Sequence, residues 1–448
     1  DTIKAACGLA DPNAVWGMTQ AAPELVHWLL KLGVKFNMSG YDDVDLRNFG
    51  GQKKKRTAFA QSDTGKQIMT AMIDAVRRKE ASGMVERFSH HSFLTLRLCG
   101  NICCGCVIRD EYSQETVELP GDAVIVATGG MHGLFGNTTG SLSNTGEVTA
   151  ELFRLGVPLA NGEMIQYHPT TVKCGGKRML ISEAARGEGG RLFAMKDGKQ
   201  WYFMEEKYPE LGNLMPRDIT AREIWKVSHE SEVFLDMTEI SEEIISNKLS
   251  GLADDCMTYL HKDIRKEPVS VLPGIHYFMG GILVDEQHRT PIQNLYAAGE
   301  CCAQYHGANR LGGNSLLGAL YGGRVAAKSA CEQADAVDLS CATQIDFPPA
   351  SQISEIKQLN KVMQETMGVV RNENTLLNGI QTVQALTGNL PLLGMAVLKS
   401  ALARKESRGA HWREDYPKSN DDDYLKTTVA RFDGKQIQIS FVPVPERR

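Results

Sequence analysis

Apolar side chains first recur at helical spacing between Asp11 and Gly33. Asp11-Pro12 opens a helix, and Pro23 begins another in which Leu25, Trp28, Leu29 and Leu32 share a face until Gly33 stops it. A further helix is predicted from Gly65 to about Lys79, with Ile68, Met72 and Val76 on one side. Phe93–Leu98 and Val107–Arg109 read as two strands joined by a turn at Gly100-Asn101. The run from Asp122 to Gly130 has no polar alternation and ends in Thr-Gly-Gly. It predicts a fully buried parallel strand with a backbone-exposing turn at its carboxyl end. Asn294–Glu300 repeats that strand-to-glycine signal. Between the two lie motif-rich loops from Gln166 to Arg217 and charged helical segments from about Glu239 to Lys266, which reads as a domain inserted into a sheet domain. Beyond about Ser351 the spacing predicts amphipathic helices, with Ile353, Ile356, Leu359, Val362 and Met363 in one stripe and Leu376, Leu377, Ile380, Val383 and Leu386 in another. From about Glu406 a polar tail is expected, with Asp421-Asp422-Asp423 as a solvated turn.

The 448 residues allow several domains, and 42% hydrophobic with 23% charged residues excludes a disordered chain. A net charge of −5 argues against nonspecific nucleic-acid binding, and no apolar run reaches the ~20 residues of a membrane helix. Eleven cysteines, an odd number in a large chain, point to a reducing compartment rather than a disulfide framework. Cys99, Cys103, Cys104 and Cys106 carry no histidine or carboxylate among them, so they read as small apolar filler and no metal site is expected. Cys301-Cys302 reads as packing too. What changes the picture is glycine: 43 residues, clustered in short motifs.

Glu183 and Arg186 are three apart, so on a helical turn they share a face, either as a surface ion pair or as a charge relay where water is excluded. His168 stands before Pro169 in an extended turn. Pro216-Arg217-Asp218, His276-Tyr277 and His306 to Arg310 each offer a cationic or imidazole donor in a loop. Two arginines and two histidines in such loops suit a small dicarboxylate, with guanidinium forks for bidentate contacts. Arg310-Leu311-Gly312-Gly313-Asn314-Ser315-Leu316 precedes a helical stretch whose first amides could face an anion or a ring edge.

Taken together these motifs resemble the flavoprotein subunit of the succinate dehydrogenase and fumarate reductase family, with L-aspartate oxidase among its relatives. The resemblance runs from Asp1 to about Pro445. Phe49-Gly50-Gly51, Asp63-Thr64-Gly65, Ala127–Gly130, Asn144-Thr145-Gly146, His168-Pro169-Thr170, Ser182–Gly190, Pro216–Asp218, His276–Gly281, Ala298–Glu300, His306–Leu317 and Glu406–His411 carry it.

The resemblance implies an α/β fold: an FAD-binding Rossmann-like sheet domain interrupted by a capping domain and followed by a C-terminal helical domain. The boundaries expected are 1–160 and 276–335 for the FAD-binding domain, 161–275 for the capping or substrate domain, 350–410 for the helical domain and 411–448 for the tail. The implied activity is hydride transfer between flavin N5 and the C2–C3 bond of succinate or fumarate, in electron transport or anaerobic respiration. His276 and Arg310 would hold one carboxylate, and His168 and Ser182 the other. Arg217 would move the proton, with Glu183 and Arg186 as its relay, and Phe49 would pack near the substrate. Thr64, Gly65, Ala127, Thr128, Gly129, Glu147, Glu300, Asn314, Ser315 and Leu316 would lie near FAD. Family partners would be an iron–sulfur subunit and a membrane anchor, placing the chain on the cytoplasmic side, peripheral to the membrane.

Two departures stand out. Ser182 replaces the threonine usual in the family and keeps the hydroxyl. The front strand with G-x-G-x-x-G, and the histidine that carries FAD covalently in many members, find no match. With an opening at Asp1 rather than Met, the chain therefore reads as a member without its amino-terminal dinucleotide-binding segment. Asn309–Ser315 and Tyr277–Gly281 favour the succinate/fumarate branch over L-aspartate oxidase, while Ile181–Ala184 leans the other way. A reductase of another enoate, or a docking module without catalysis, are the remaining alternatives.

Overall fold

The computed structural model describes every residue except 42, 50, 51, 53, 62, 142, 335–346, 348–351 and 448. Gly50 and Gly51 of the first glycine motif, and the junction before the helical domain at 350, therefore lie outside the described residues.

The fold is mixed α/β, built on the two strand-to-glycine signals. Val124–Val126 and Leu295–Ala297 pair in parallel, with Leu295 opposite Val124 and Ala297 opposite Val126. Each runs into a turn with a left-handed glycine, Gly129 at φ 74° and Gly299 at φ 79°, a conformation that side chains with a Cβ rarely adopt. The first strand is not fully buried as expected: Val126 is, but Ile125 is 41% exposed. The helix Asn314–Gln333, started by Gly313 at φ 86°, packs against both strands.

Beside them stands an antiparallel sheet of His91–Cys99, Ile102–Asp110 and Thr116–Pro120. Gly105 kinks its middle strand, where a Cβ would lie 2.1 Å from the Leu119 carbonyl oxygen. Cys103 and Cys104 are free, buried filler, as expected, whereas Cys99 is disulfide-bonded and departs from that reading.

At the amino end, Pro12–Leu32 is one helix rather than two. Asp11 caps it by accepting from the Asn13 and Ala14 amides, and Gly33 closes it at φ 100°. Pro23 lies on the exposed side of the helix, where its missing N–H leaves no buried carbonyl behind it.

The inserted region holds more regular structure than loops. Ile165–Cys174 pairs with Leu272–Phe278 and Lys177–Leu180. Arg191–Lys196 and Val233–Asp236 centre a four-stranded antiparallel sheet over a core of Ile181, Leu192, Ile224, Leu235 and Leu252. The helices Ile353–Thr366, Glu373–Val383 and Asn389–Ala403 bury Leu359, Met363, Leu376 and Val383 with Leu134, Phe135 and Phe153. Each such side chain removed from water stabilises by about 1.5–3 kcal/mol. Ile353, 74% exposed, and Leu377 fall off the predicted stripes, because a 3.6-residue period drifts away from the contact face at a helix end.

Residues 411–448 are not a tail. Lys426–Phe432 and Ile437–Pro443 form a hairpin that adds to Leu159–Ala160, Gly281–Leu283 and Cys302–Ala303 as a five-stranded sheet. Arg404 ties this sheet to the helices. Its fully buried guanidinium donates to Glu163 Oε1 at 2.7 Å, to Glu406 Oε1 at 2.8 Å and to the Lys426 carbonyl. Polar residues in this stretch looked solvated in sequence because their ionic partners come from distant segments.

Candidate active site

The site grows from the pairing of Ile165–Cys174 with Leu272–Phe278. Gly274 faces His168 and Ile275 faces Tyr167, but Tyr277 faces Gln166, so His276 is an extra residue in a bulge. A bulge re-aims its side chain, and here it brings the His276 ring to 5.2 Å from His168, edge to face. Thr139 Oγ1 lies 2.7 Å from His276 Nδ1. His168 Nδ1 lies 3.2 Å from the Thr170 amide and 3.1 Å from the Thr170 carbonyl, while its Nε2 is a buried atom without a hydrogen-bond partner. Burial, and for His168 the nearby Arg217 and Arg186, hold both imidazoles well below their usual pKa; for His276 the neighbours are His168 and Arg310. Both are neutral donors or acceptors at pH 7.

Glu183 begins the short helix Glu183–Gly187, capped by Ser182, whose hydroxyl accepts from the Ala184 amide at 3.3 Å. Arg217 is the first residue of the helix Arg217–Val227, after Pro216. Its Nε and Nη2 both donate to Glu183 Oε2, at 2.9 and 2.5 Å. Arg186 Nη2 donates to Glu183 Oε1 at 3.2 Å, and its Nη1 to the Asn213 carbonyl at 2.6 Å. The three side chains thus form a buried line, not a surface ion pair. Burial alone would raise the Glu183 pKa, but Arg217 and Arg186 outweigh it and hold the carboxyl at about 2.

Arg310 is buried with an unpartnered Nε, and its guanidinium lies 4.4 Å over the Tyr277 ring. Burial, with Arg217 adding like charge, lowers its pKa to about 9. Three guanidinium groups against the one carboxylate between them leave an excess of positive charge, which suits a dianion. Phe49 joins through Gly312, where a Cβ would stand 2.8 Å from Phe49 Cβ and 2.9 Å from Glu183 Oε2. Ser182 is adjacent by chain, and its oxygen accepts at the helix cap, which leaves the O–H as a donor. The sequence reading assigned no role to Gln166, Asn309 or Thr139. Gln166 and Asn309 lay inside or beside quoted motifs and Thr139 outside them; the signal of all three is a hydrogen bond to a distant segment, which spacing does not reveal.

Of the residues expected near FAD, Ala127, Thr128, Gly129 and Glu300 follow directly on the carboxyl ends of the parallel strands, and Asn314, Ser315 and Leu316 begin the helix packed against them. Glu300 Oε1 accepts from the Phe278 amide at 3.0 Å and sits where a Cβ on Gly130 would fall, 2.7 Å away. Gly129 presses on Asn144, and Ala127 and Thr128 are exposed beside Ile125. Asn314, Ser315 and the part-exposed Leu316 start the helix after Gly313. Thr64 and Gly65 begin the helix Thr64–Ala81, with Thr64 Oγ1 accepting from the Ala60 amide, and Glu147 begins Glu147–Arg154. Parallel strands are ordinarily covered on both faces. An apolar ledge open at their carboxyl ends, beside a glycine-capped helix start, fits a dinucleotide with a planar ring system.

Comparison with known proteins agrees. Residues 1–316 match the family described as FAD binding domain, and residues 386–447 that described as Fumarate reductase flavoprotein C-term. The chain is 35% identical to the succinate dehydrogenase flavoprotein subunit of Bacillus subtilis (strain 168), over 100% of this chain and 87% of that protein. It is 32% identical to the L-aspartate oxidase of Pyrococcus furiosus, over 94% and 84% of the two chains. The fold superposes on a variant of the E. coli quinol fumarate reductase FrdA with a TM-score of 0.89, at 26% identity over 99% and 86% of the chains. The chain therefore belongs to the FAD-dependent flavoprotein subunits of the succinate dehydrogenase and fumarate reductase family, a group with L-aspartate oxidases among its relatives.

Proposed function

We propose that this chain interconverts succinate and fumarate, and that the buried Arg217–Glu183–Arg186 line moves the proton. That line is the observation that carries the reading. Bound FAD supplies the hydride chemistry. Arg310, with an unpartnered Nε, and His276 would grip one carboxylate; His168, through its unpartnered Nε2, would meet the other, with Ser182 at its side.

Arg217 would give its proton to the carbon next to the one that receives hydride. A guanidinium rarely releases a proton, and the pairing with Glu183 supports this step. While Arg217 is charged, Glu183 is anionic and holds it in place. Once Arg217 has lost its proton, the largest of the charges that depress the Glu183 pKa is gone, so the carboxylate becomes basic enough to take a proton from the Arg186 side and return it. Burial of all three excludes water from competing.

An iron–sulfur subunit and a membrane anchor are the partners we infer, with the chain peripheral to the membrane on its cytoplasmic side. Among the described residues no helix is long and apolar enough to cross a membrane.

The test is anaerobic. Chemically reduced, FAD-loaded protein is mixed with fumarate, and oxidised protein with L-aspartate, while flavin absorbance is followed. Reoxidation by fumarate supports the proposal. Reduction by L-aspartate with no response to fumarate moves the chain to the oxidase branch.

A further inference from the structure

Gln166 is fully buried on Ile165–Cys174, and both ends of its amide are used. Its Oε1 accepts from Arg217 Nη1 at 3.1 Å, and its Nε2 donates to Asn309 Oδ1 and to the Arg310 carbonyl, both at 2.8 Å. Asn309 Nδ2 in turn donates to Asp218 Oδ1 at 2.8 Å. Asp218 follows Arg217 in the chain, so the four side chains close a ring.

The ring has one polarity. Arg217 can only donate, which fixes the Gln166 carbonyl towards it and turns the Gln166 amide hydrogens to Asn309. The Gln166 amide hydrogens take the Asn309 carbonyl, which turns the Asn309 amide hydrogens towards Asp218 Oδ1. Reversing either amide would set donor against donor or acceptor against acceptor. Two elements far apart in sequence are thereby joined: the start of the Arg217–Val227 helix and the loop that carries Arg310.

We propose that Asn309 and Asp218 are a positioning pair that locks the Arg217 helix to the Arg310 loop, keeping proton donor and carboxylate grip in one register. The inference rests on the dicarboxylate reading above. Neither residue touches substrate in this scheme; they act through Gln166, Arg217 and the Arg310 backbone. Misplacing a donor by about 1 Å costs on the order of a hundredfold in rate.

The experiment compares wild type, N309D, D218N and the exchanged double variant D218N/N309D, each loaded with FAD, with fumarate as the acceptor. N309D sets two carboxylates face to face and removes the donor. We expect kcat to fall by about tenfold to a hundredfold, with flavin content unchanged and KM within about threefold. In the exchanged variant the new amide at 218 donates to the carboxylate at 309, which also accepts from Gln166, so kcat should return to within about threefold of wild type. A general packing role would not be rescued by moving one charge across the pair.

Wild-type kcat in N309D, or an exchanged variant no faster than N309D, overturns the proposal. If N309D fails to bind FAD, N309A carries the test, with the same fall in kcat expected and an unchanged kcat overturning it. If wild type itself does not turn over fumarate, the assigned reaction falls. The coupling is then read from melting temperatures: recovery in the exchanged variant supports the pair, and no recovery overturns it.

Discussion

Replacing Glu183 by glutamine takes away the one carboxylate between two guanidinium groups. Glu183 is 2% exposed, and its ionic partners Arg217 and Arg186 are themselves buried. Burial pushes its pKa up, the two arginines push it further down, and the result is about 2 against an ordinary 4.5. At about 1.36 kcal/mol per pKa unit, that depression is worth on the order of 3 kcal/mol.

The sign follows from the direction. The folded value lies below the unfolded one, so the contribution is complete above about pH 4.5 and fades as pH falls towards 2. Roughly half of it should remain at pH 3. Urea denaturation of FAD-loaded wild type and E183Q, followed by tryptophan fluorescence, should show a penalty on the order of 3 kcal/mol at pH 7, in line with breaking a buried ion pair. The gap should narrow steadily between pH 5 and pH 3. An equal penalty at pH 7 and pH 3 refutes the reasoning, since a packing defect does not titrate.

Arg217→Ala should lower kcat for fumarate by about 10²- to 10⁴-fold while dicarboxylate affinity, titrated by flavin absorbance, stays within about threefold. Arg310→Ala should instead weaken dicarboxylate binding about tenfold to a hundredfold, and unchanged affinity sinks its assignment. Gly312→Ala places a methyl 2.8 Å from Phe49 Cβ and 2.9 Å from Glu183 Oε2; the crowding should cost about 1–3 kcal/mol, seen as a lower melting temperature, and an unshifted one contradicts the contact. Because burial keeps His168 and His276 neutral well below their usual pKa, dicarboxylate affinity should show no step near pH 6.5, and such a step would mean that an imidazolium binds the ligand.

Much of the frame was legible before any coordinates. The Val/Ile run before Gly129 and the Leu-Tyr-Ala run before Gly299 read as strands because both faces of a parallel pair favour apolar side chains, and they do pair in parallel. The acid and arginine three apart at 183 and 186 do share a helical face. Less legible was the region between Gln166 and Arg217. Its short strands alternate with turns over only three to ten residues, too few for a period to declare itself. Pro23 read as a boundary because local rules weigh its missing N–H, whereas Leu29, buried with Ile68 and Ala71 of the helix Thr64–Ala81, and Val26 and Leu30 beside it keep one continuous helix.

The sequence by itself determined the local choices: where helices are capped, where glycine permits a turn, which residue types could grip a dicarboxylate, and, through the resemblance of its motifs, the flavoprotein family. Those are properties of neighbours in the chain, decided by backbone sterics and side-chain chemistry. Tertiary structure alone decided what depends on distant partners. It made Lys426–Phe432 and Ile437–Pro443 part of a sheet through Leu159–Ala160 and Glu163, and it turned His276 towards His168 by a one-residue bulge against another strand. It also closed the ring of Gln166, Arg217, Asp218 and Asn309. A buried hydrogen bond or ion pair gains its strength from excluded water, and which residues lose their water is known only once the chain has folded.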